Sequence, residues 1–410
     1  MHTSFRLVAL VIGATFAAPV LAQTAAPLNC QRSFGLRADV NGVIGETICT
    51  AKAWDFAQAL NNWDESNDAY TATSSAVAQG RFADVGIVLS YAANSMTLNY
   101  NFVELGEQGS FTGATRDDSE EQFEDFLIQT DILSRIMRYQ AQHSATSPIT
   151  GVGGAITLAG AQDFGASFDT MSKIANSQGG TNNNLIGVGI GYGNYSIAGS
   201  ADRISTTSLP LSYTIRNDID PRRQLVFSLP LTLSTTGDAK SAHGSLGIAY
   251  RVPLTDNWTL TPGARYAIVA SKDRATLSTV MSASLASTYA IQMDGFALGV
   301  GNMIGYYKTG KFSSGDYSIA PDIALKMMRN GIMASVPTAL FGPKMAAEFA
   351  LIDMRYLGGN KPFLASTQEI SFTVGTNRNA ANARSFVRAG ISYLRGKNTR
   401  GLSANLGYWF

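Results

Sequence analysis

From about residue 185 onward, the chain repeats one kind of segment. Each runs roughly 9 to 15 residues, alternates bulky apolar residues with small or polar ones, and stops at a turn cluster. "LIGVGIGYGNYSI" sets Ile186, Val188, Ile190 and Tyr192 on one face and glycines on the other. "QLVFSLPLTL" does the same with Leu225, Phe227, Leu229, Leu231 and Leu233, and "SLGIAYRVPL" with Leu246, Ile248, Tyr250, Val252 and Leu254. The last segment, "GLSANLGYWF", keeps the alternation through Leu402, Ala404, Leu406, Tyr408 and Phe410. Period two describes β-strands with two unlike faces. A soluble sandwich needs a bulky interior and a charged exterior. Here the face opposite the bulky residues is Gly, Ser, Ala and Thr with an occasional charge, which suits the lumen of a narrow barrel. Lipid offers a backbone no hydrogen bonds, so strands facing it must close on themselves. The expected fold is mainly β: a transmembrane antiparallel β-barrel of about 12 strands, within a range of roughly 10 to 14. The range reflects "KMMRNGIMASVPTALFGPKMAAEF", which reads as one long turn or as an additional hairpin.

The turns differ in style. "PLTDNW" and "QMDGF" are tight, whereas "LSTTGDAKSAH", "YKTGKFSSGD", "LGGNKPF" and "LRGKNTRG" read as longer loops carrying Lys or Arg. Short turns at one end and longer loops at the other fit an outer-membrane barrel. Pro210 and Pro230 flank "NDIDPRR" at equal distance and are expected to be cross-strand neighbours in a strained zone near one rim.

The chain has 410 residues, enough for more than one domain. Residues 1–22 have a basic start, a short apolar core and a Val20-Leu21-Ala22 cleavage site, the pattern of a secretory signal peptide. Residues 23–150 read as an N-terminal α+β domain. Cys30 and Cys49 are the only cysteines, and in an oxidising compartment an isolated pair reads as one disulfide; two unrelated thiols are the alternative. "CTAKAWDFAQALNNW" suggests a short helix, and "AVAQGRFADVGIVLSY" and "SMTLNYNFVEL" suggest strands. "DDSEEQFEDFLIQTDILSRIMRYQAQH" reads as one helix with Phe123, Phe126, Leu127, Leu133, Ile136 and Met137 in a stripe, acids at its start and Arg135 and Arg138 toward its end. Residues 151–184 form a Gly-rich linker and a helix, with Phe164 and Phe168 on one side, expected in or under the pore. Residues 185–410 are the barrel. Net charge is +1 and no Lys/Arg cluster interleaves with aromatics, which argues against nucleic acid as a partner.

Together, the signal peptide, the helix leading into about twelve strands and the aromatic ending make the chain resemble an autotransporter-type outer-membrane β-barrel protein of a Gram-negative bacterium. The resemblance covers about residues 160–410. It implies that Phe410, Tyr408, Leu406 and Leu402 form the signal read by the barrel-assembly machinery, a feature porins share. It also implies a barrel in the cell outer membrane that anchors, and translocates or displays, its own N-terminal domain. That domain is short, shows no β-helix repeat and has no evident cleavage motif before the barrel, so it is expected to stay attached; its partner is not legible. The alternative is a passive porin or small-solute channel with a periplasmic N-terminal domain.

With the apolar positions facing lipid, Arg251, Arg265, Lys326, Glu348, Glu369 and Arg388 point into the lumen. They read as a charged constriction, as contacts to an internal helix, or as ordinary polar lining. The odd residue is Trp409, large yet on the lumen side. Loop cations, among them Lys240, Lys308, Arg395 and Arg400, suit either lipopolysaccharide phosphates or plain solvation. No enzyme is expected: His143 lies at a helix end and His243, between Ser241 and Ser245, reads as a solvated loop residue. No cofactor or metal is expected.

Overall fold

The computed structural model describes residues 28–61, 69–165, 167–171, 184–314, 317–339, 345–377 and 385–410. The signal-peptide expectation for residues 1–22 lies outside them. The N-terminal region is a six-stranded sheet with helices: β1 (Phe34–Val40), β2 (Ile48–Thr50), α1 (Ala53–Asn61), β3 (Ala76–Phe82), β4 (Val85–Tyr91), β5 (Thr97–Phe102), β6 (Glu107–Thr112), α2 (Arg116–Gln129) and α3 (Ile132–His143). The strand order is β2-β1-β3-β4-β5-β6. Phe34, Phe102 and Ile132 are among its fully buried side chains, and Tyr100, Phe111, Phe123 and Phe126 form an aromatic cluster between sheet and α2. The Cys30–Cys49 disulfide ties the segment before β1 to β2. Strands β1, β2 and β6 carry no sequence alternation clean enough to announce them.

The single helix expected over "DDSEEQFEDFLIQTDILSRIMRYQAQH" is two. A capping box at Thr115 and Asp118 opens α2, because each side chain bonds the other's backbone N–H. Thr130 ends it: its hydroxyl donates to the Phe126 carbonyl at 2.6 Å, in competition with the helix ladder, and α3 restarts after Asp131. The break lets both helices pack on one twisted sheet.

A fourth helix, α4 (Ala155–Gly165), is followed by a 3₁₀ turn at Phe168–Met171. It starts six residues before the expected helix at residue 161. Its buried positions, including Ala155, Ile156, Ala159 and Phe164, do not form a stripe against a polar face, because the helix is enclosed on all sides.

The barrel follows: β7 (Leu185–Ile197), β8 (Ile204–Leu209), β9 (Leu211–Arg216), β10 (Gln224–Ser228), β11 (Leu231–Thr236), β12 (Ala239–Pro253), β13 (Trp258–Ser271), β14 (Thr276–Met293), β15 (Phe296–Thr309), a small hairpin of β16 (Phe312–Ser314) and β17 (Tyr317–Ile319), then β18 (Ala324–Thr338), β19 (Met345–Leu357), β20 (Ser366–Thr376), β21 (Phe386–Gly396) and β22 (Thr399–Trp409). β8 and β9 are halves of one crossing interrupted at Pro210, and β10 and β11 are halves of the next, interrupted at Pro230. That makes a closed antiparallel barrel of 12 crossings, sealed where β22 pairs with β7. The ambiguous stretch after residue 326 is one ordinary hairpin, β18–β19.

The pairings Leu209↔Leu231 and Ser212↔Ser228 place Pro210 opposite Pro230. They sit midway along their crossings, not at a rim as the sequence suggested. A proline has no N–H for the ladder, but its carbonyl still serves: Gly189 donates to Pro210 and Ser245 to Pro230. Two of the supposed long loops are also tight turns. Gly237–Asp238 joins β11 to β12 and Lys397–Asn398 joins β21 to β22, because the strands continue past the expected boundary.

The outer wall is apolar. Leu233 is 66 % exposed, Leu246 61 % and Leu402 63 %, part of an apolar surface that runs round the barrel and suits lipid. No helix among the described residues is long and apolar enough to cross a membrane; the strands do the crossing.

Candidate functional site: the occupied lumen

Helix α4 lies inside the barrel, against β13, β14 and β15. The wall makes room for it. Gly301 and Gly331 face each other across β15 and β18, and their missing side chains form a slot for the Phe164 and Phe168 rings. A Cβ on either glycine would lie 3.0–3.1 Å from those rings, too close to fit without displacement. Around the slot, Met303, Tyr307, Met327, Met333 and Tyr356 complete an apolar core shared by plug and wall.

Charge fixes the plug's position. Asp163 on α4 receives Arg265 at 2.7 Å and 2.9 Å through two guanidinium nitrogens, and the Tyr307 hydroxyl at 3.3 Å. Both ions are nearly buried, with side-chain exposures of 11 % and 5 %. Asp169, in the 3₁₀ turn, takes Arg388 at 2.8 Å and Arg251 at 3.9 Å. Thr288 donates to the Ser167 carbonyl at 3.2 Å. A buried ion pair is poor glue against an apolar replacement but a strong registry device, because a slipped plug would leave unpaired charge in a dry site.

Five of the six residues assigned to the lumen do point inward: Arg251, Arg265, Glu348, Glu369 and Arg388. They are brought together as contacts to the internal segment or to one another, with Glu348 3.9 Å from Arg388 and Glu369 3.7 Å from Arg329. Lys326 is a correction: it stands exposed on the outer face of β18. The sequence parity was inverted there because Ile323, Leu325 and Met327, apolar and therefore assigned to lipid, pack on the plug instead. Sequence reasoning missed Arg329, which lies over the Phe164 ring at 5.5 Å, as well as Asp163, Asp169, Tyr307 and Tyr356. A lone carboxylate in an otherwise apolar helix was the available signal for Asp163.

His243 is not in a loop. It faces the lumen from β12, is 8 % exposed, and neither ring nitrogen has a hydrogen-bond partner among the described residues. Trp409 also faces inward, stacked on Phe386 at 4.7 Å and 10° beside Leu185, at the rim where the barrel starts and ends. A cavity of about 460 Å³ lies between this rim and the plug, lined by Asp169, Arg251, Glu348, Arg388 and Trp409 among others.

The N-terminal region caps the other end. Lys52 meets Asp238 at 2.9 Å and Arg32 meets Asp202 at 3.5 Å. The hydrogen bond from Lys52 holds the Asp238 carboxyl below its usual range. Arg274, in the β13–β14 turn, is 1 % exposed and donates to the Ser33 and Thr146 hydroxyls. Arg138 donates to the Pro321 carbonyl at 2.8 Å, beyond the β16–β17 hairpin. Every one of these barrel contacts is made by a turn at the end away from Leu185 and Phe410.

The apolar outer wall, the closed ladder and the threaded lumen define a transmembrane β-barrel of the outer-membrane type. No protein-family model matches the chain, and no curated protein sequence matches it. Solved structures give distant likenesses. The translocator domain of the autotransporter NalP from Neisseria meningitidis aligns at 15 % identity and a TM-score of 0.45, over 65 % of this chain and 99 % of that one. The β domain of the Bordetella autotransporter BrkA aligns at 11 % and 0.44, over 56 % and 99 %. The KdgM porin aligns at 10 % and 0.31, over 54 % and 98 %. Translocators and channels stand side by side, so these likenesses do not choose between export and diffusion.

Proposed function

We propose that the protein is an autotransporter-like outer-membrane barrel that carries its own N-terminal domain across the membrane and keeps it as a cap on the cell surface. It is read as a non-enzymatic anchor. One observation carries this reading. The chain leaves the cap after α3 (Ile132–His143), runs inside the lumen as α4, and begins β7 at the opposite rim, where β22 also ends. A barrel inserted from the periplasm leaves both its ends on that side. The cap then lies outside, and the segment that followed it through the pore remains inside the pore. The cap contacts of Lys52, Arg32 and Arg274 hold the domain in place after passage, with no release step. On this reading the cap-side turns stand among lipopolysaccharide phosphates, and the barrel-assembly machinery is the partner that inserts the chain.

The passive porin or small-solute channel is favoured by one feature, the charged cavity beside the seam. Protease added to intact cells separates the two readings. Cleavage within residues 69–143, with the barrel protected, is expected for display. Full protection until the outer membrane is breached means a periplasmic domain and overturns the reading.

The seam gives a second expected result. Phe410 exchanges backbone hydrogen bonds with Ile186 at 2.9 Å and 3.0 Å, and its ring stacks on Tyr408 on the lipid side. Phe410→Ala is expected to lower the folded, heat-modifiable barrel in outer-membrane fractions several-fold while total synthesis stays constant. Unchanged abundance of the folded form would remove Phe410, Tyr408, Leu406 and Leu402 from the assembly signal.

A further inference from the structure

Among the described residues, the Lys and Arg side chains that point outward from barrel strands are Lys240, Lys308, Lys326, Arg355, Arg395 and Arg400. All six stand near the cap-side ends of their strands. Five of them occupy one arc of the wall, β15 to β22. The register sets three in a cluster. Tyr306↔Lys326 and Lys308↔Ala324 make Lys308 and Lys326 diagonal neighbours across β15–β18. Lys326↔Leu357 and Met328↔Arg355 do the same for Lys326 and Arg355 across β18–β19. Diagonal positions on one face lie about 7–8 Å apart, close enough for long side chains to converge on one anion. Further along the arc, Arg395 and Arg400 stand directly opposite each other. Like charges so placed repel unless an anion lies between them.

The arc holds little to neutralise these cations. Among the described strand residues of the arc, Asp353 is the outward carboxylate, and it is taken by Arg355 at 2.7 Å and Gln368 at 2.9 Å. Neither Lys308, Lys326, Arg395 nor Arg400 has an ion-pair partner among the described residues. Directly below the arc, toward the far rim, the same wall face is apolar: Ile332, Leu351, Ile391 and Leu402. A ligand here would have acyl chains on those residues and an anionic headgroup at the cations. Free phosphate has no use for the apolar half, and a soluble acidic protein could not reach the membrane boundary along it.

We infer that the outer face of β15–β22 binds the phosphorylated headgroup of a membrane glycolipid, with Lys308, Lys326 and Arg355 as the principal site and Arg395 and Arg400 as a second contact. The inference rests on the surface-display reading only for the leaflet in which it operates, since binding itself depends on the wall alone.

The test uses the full chain in detergent micelles, titrated with bisphosphorylated lipid A, with lipid A stripped of phosphate, and with inorganic phosphate, and read by native mass spectrometry. Retained heat-modifiable mobility certifies each variant as folded. The intact protein is expected to retain bisphosphorylated lipid A and to discriminate against the stripped form. The pair K326Q/R355Q is expected to weaken binding by about tenfold or more, since each cation near a lipid surface contributes on the order of 1 kcal/mol. K308Q/K326Q serves as the second variant, because it leaves Asp353 paired. Lys240→Gln, on the opposite arc, is expected to leave binding unchanged. Equal retention by the double variants, equal binding of the stripped lipid, or displacement by inorganic phosphate at matching concentration overturns the site. Binding as expected alongside a protease-protected cap would retain the site and discard display alone.

Discussion

Deleting residues 155–171 is expected to convert a nearly silent barrel into a conducting pore. In planar bilayers the intact protein should show at most small, rare openings, because α4 packs on β13, β14 and β15, Phe164 and Phe168 fill the slot between β15 and β18, and the space left beside them is a cavity of about 460 Å³ at the seam. The barrel need not collapse when the helix goes. Its ladder is closed by β22 on β7 independently of the plug, and the exposed wall cations and glycines can hydrate as a polar lumen. Steady single-channel currents at least tenfold above those of the intact chain are the expected reading. A deletion variant that is folded by heat-modifiable mobility but as silent as the parent would show that the cap, not the plug, closes the barrel.

Asp163→Ala is expected to unseat the plug without removing it. The substitution leaves Arg265 in a nearly dry wall position without its closest counter-charge, although Ser245 still accepts from it at 2.9 Å. Removing one partner of a buried pair costs about 3–5 kcal/mol, a large fraction of the roughly 5–15 kcal/mol that holds a whole native protein folded. The expected outcome is faster amide exchange over 155–165 and the appearance of channel openings, with barrel strands unaffected. Asp163→Ala combined with Arg265→Ala should be milder than Asp163→Ala alone, since no charge is then stranded. Equal exchange rates in parent and single variant would mean that the Phe164 and Phe168 packing holds the plug by itself.

Most of the wall was legible because a lipid-facing strand obeys a simple rule. Every second residue must be apolar, and no other part of the protein competes for that face. Leu402, Leu406, Tyr408 and Phe410 read correctly one residue at a time, as did Pro210 and Pro230 as cross-strand partners. Reading failed where a second apolar surface intruded. Ile323, Leu325 and Met327 looked like lipid contacts, so Lys326 was turned inward, whereas the plug supplies the apolar partner and the lysine faces out. Helix α4 was begun late for the same reason: enclosed on every side, it has no polar face to mark its period. His243 looked like a loop residue because the β11–β12 turn shrank to Gly237–Asp238, which carried the strand past it.

The sequence by itself determined the membrane-crossing architecture, about twelve crossings of mixed face ending in an apolar-faced strand at Phe410, because backbone hydrogen bonding in lipid admits few solutions and the side-chain period reports which one is used. Only the tertiary structure decided that the expected pore helix stands inside the lumen, which side chains hold it there, and which end is capped. Those depend on pairs such as Asp163 with Arg265, 102 residues apart in the chain, and Arg274 with Thr146, 128 apart. Contacts at such separations leave no local period, and they exist only once the wall has closed around the chain that threads it.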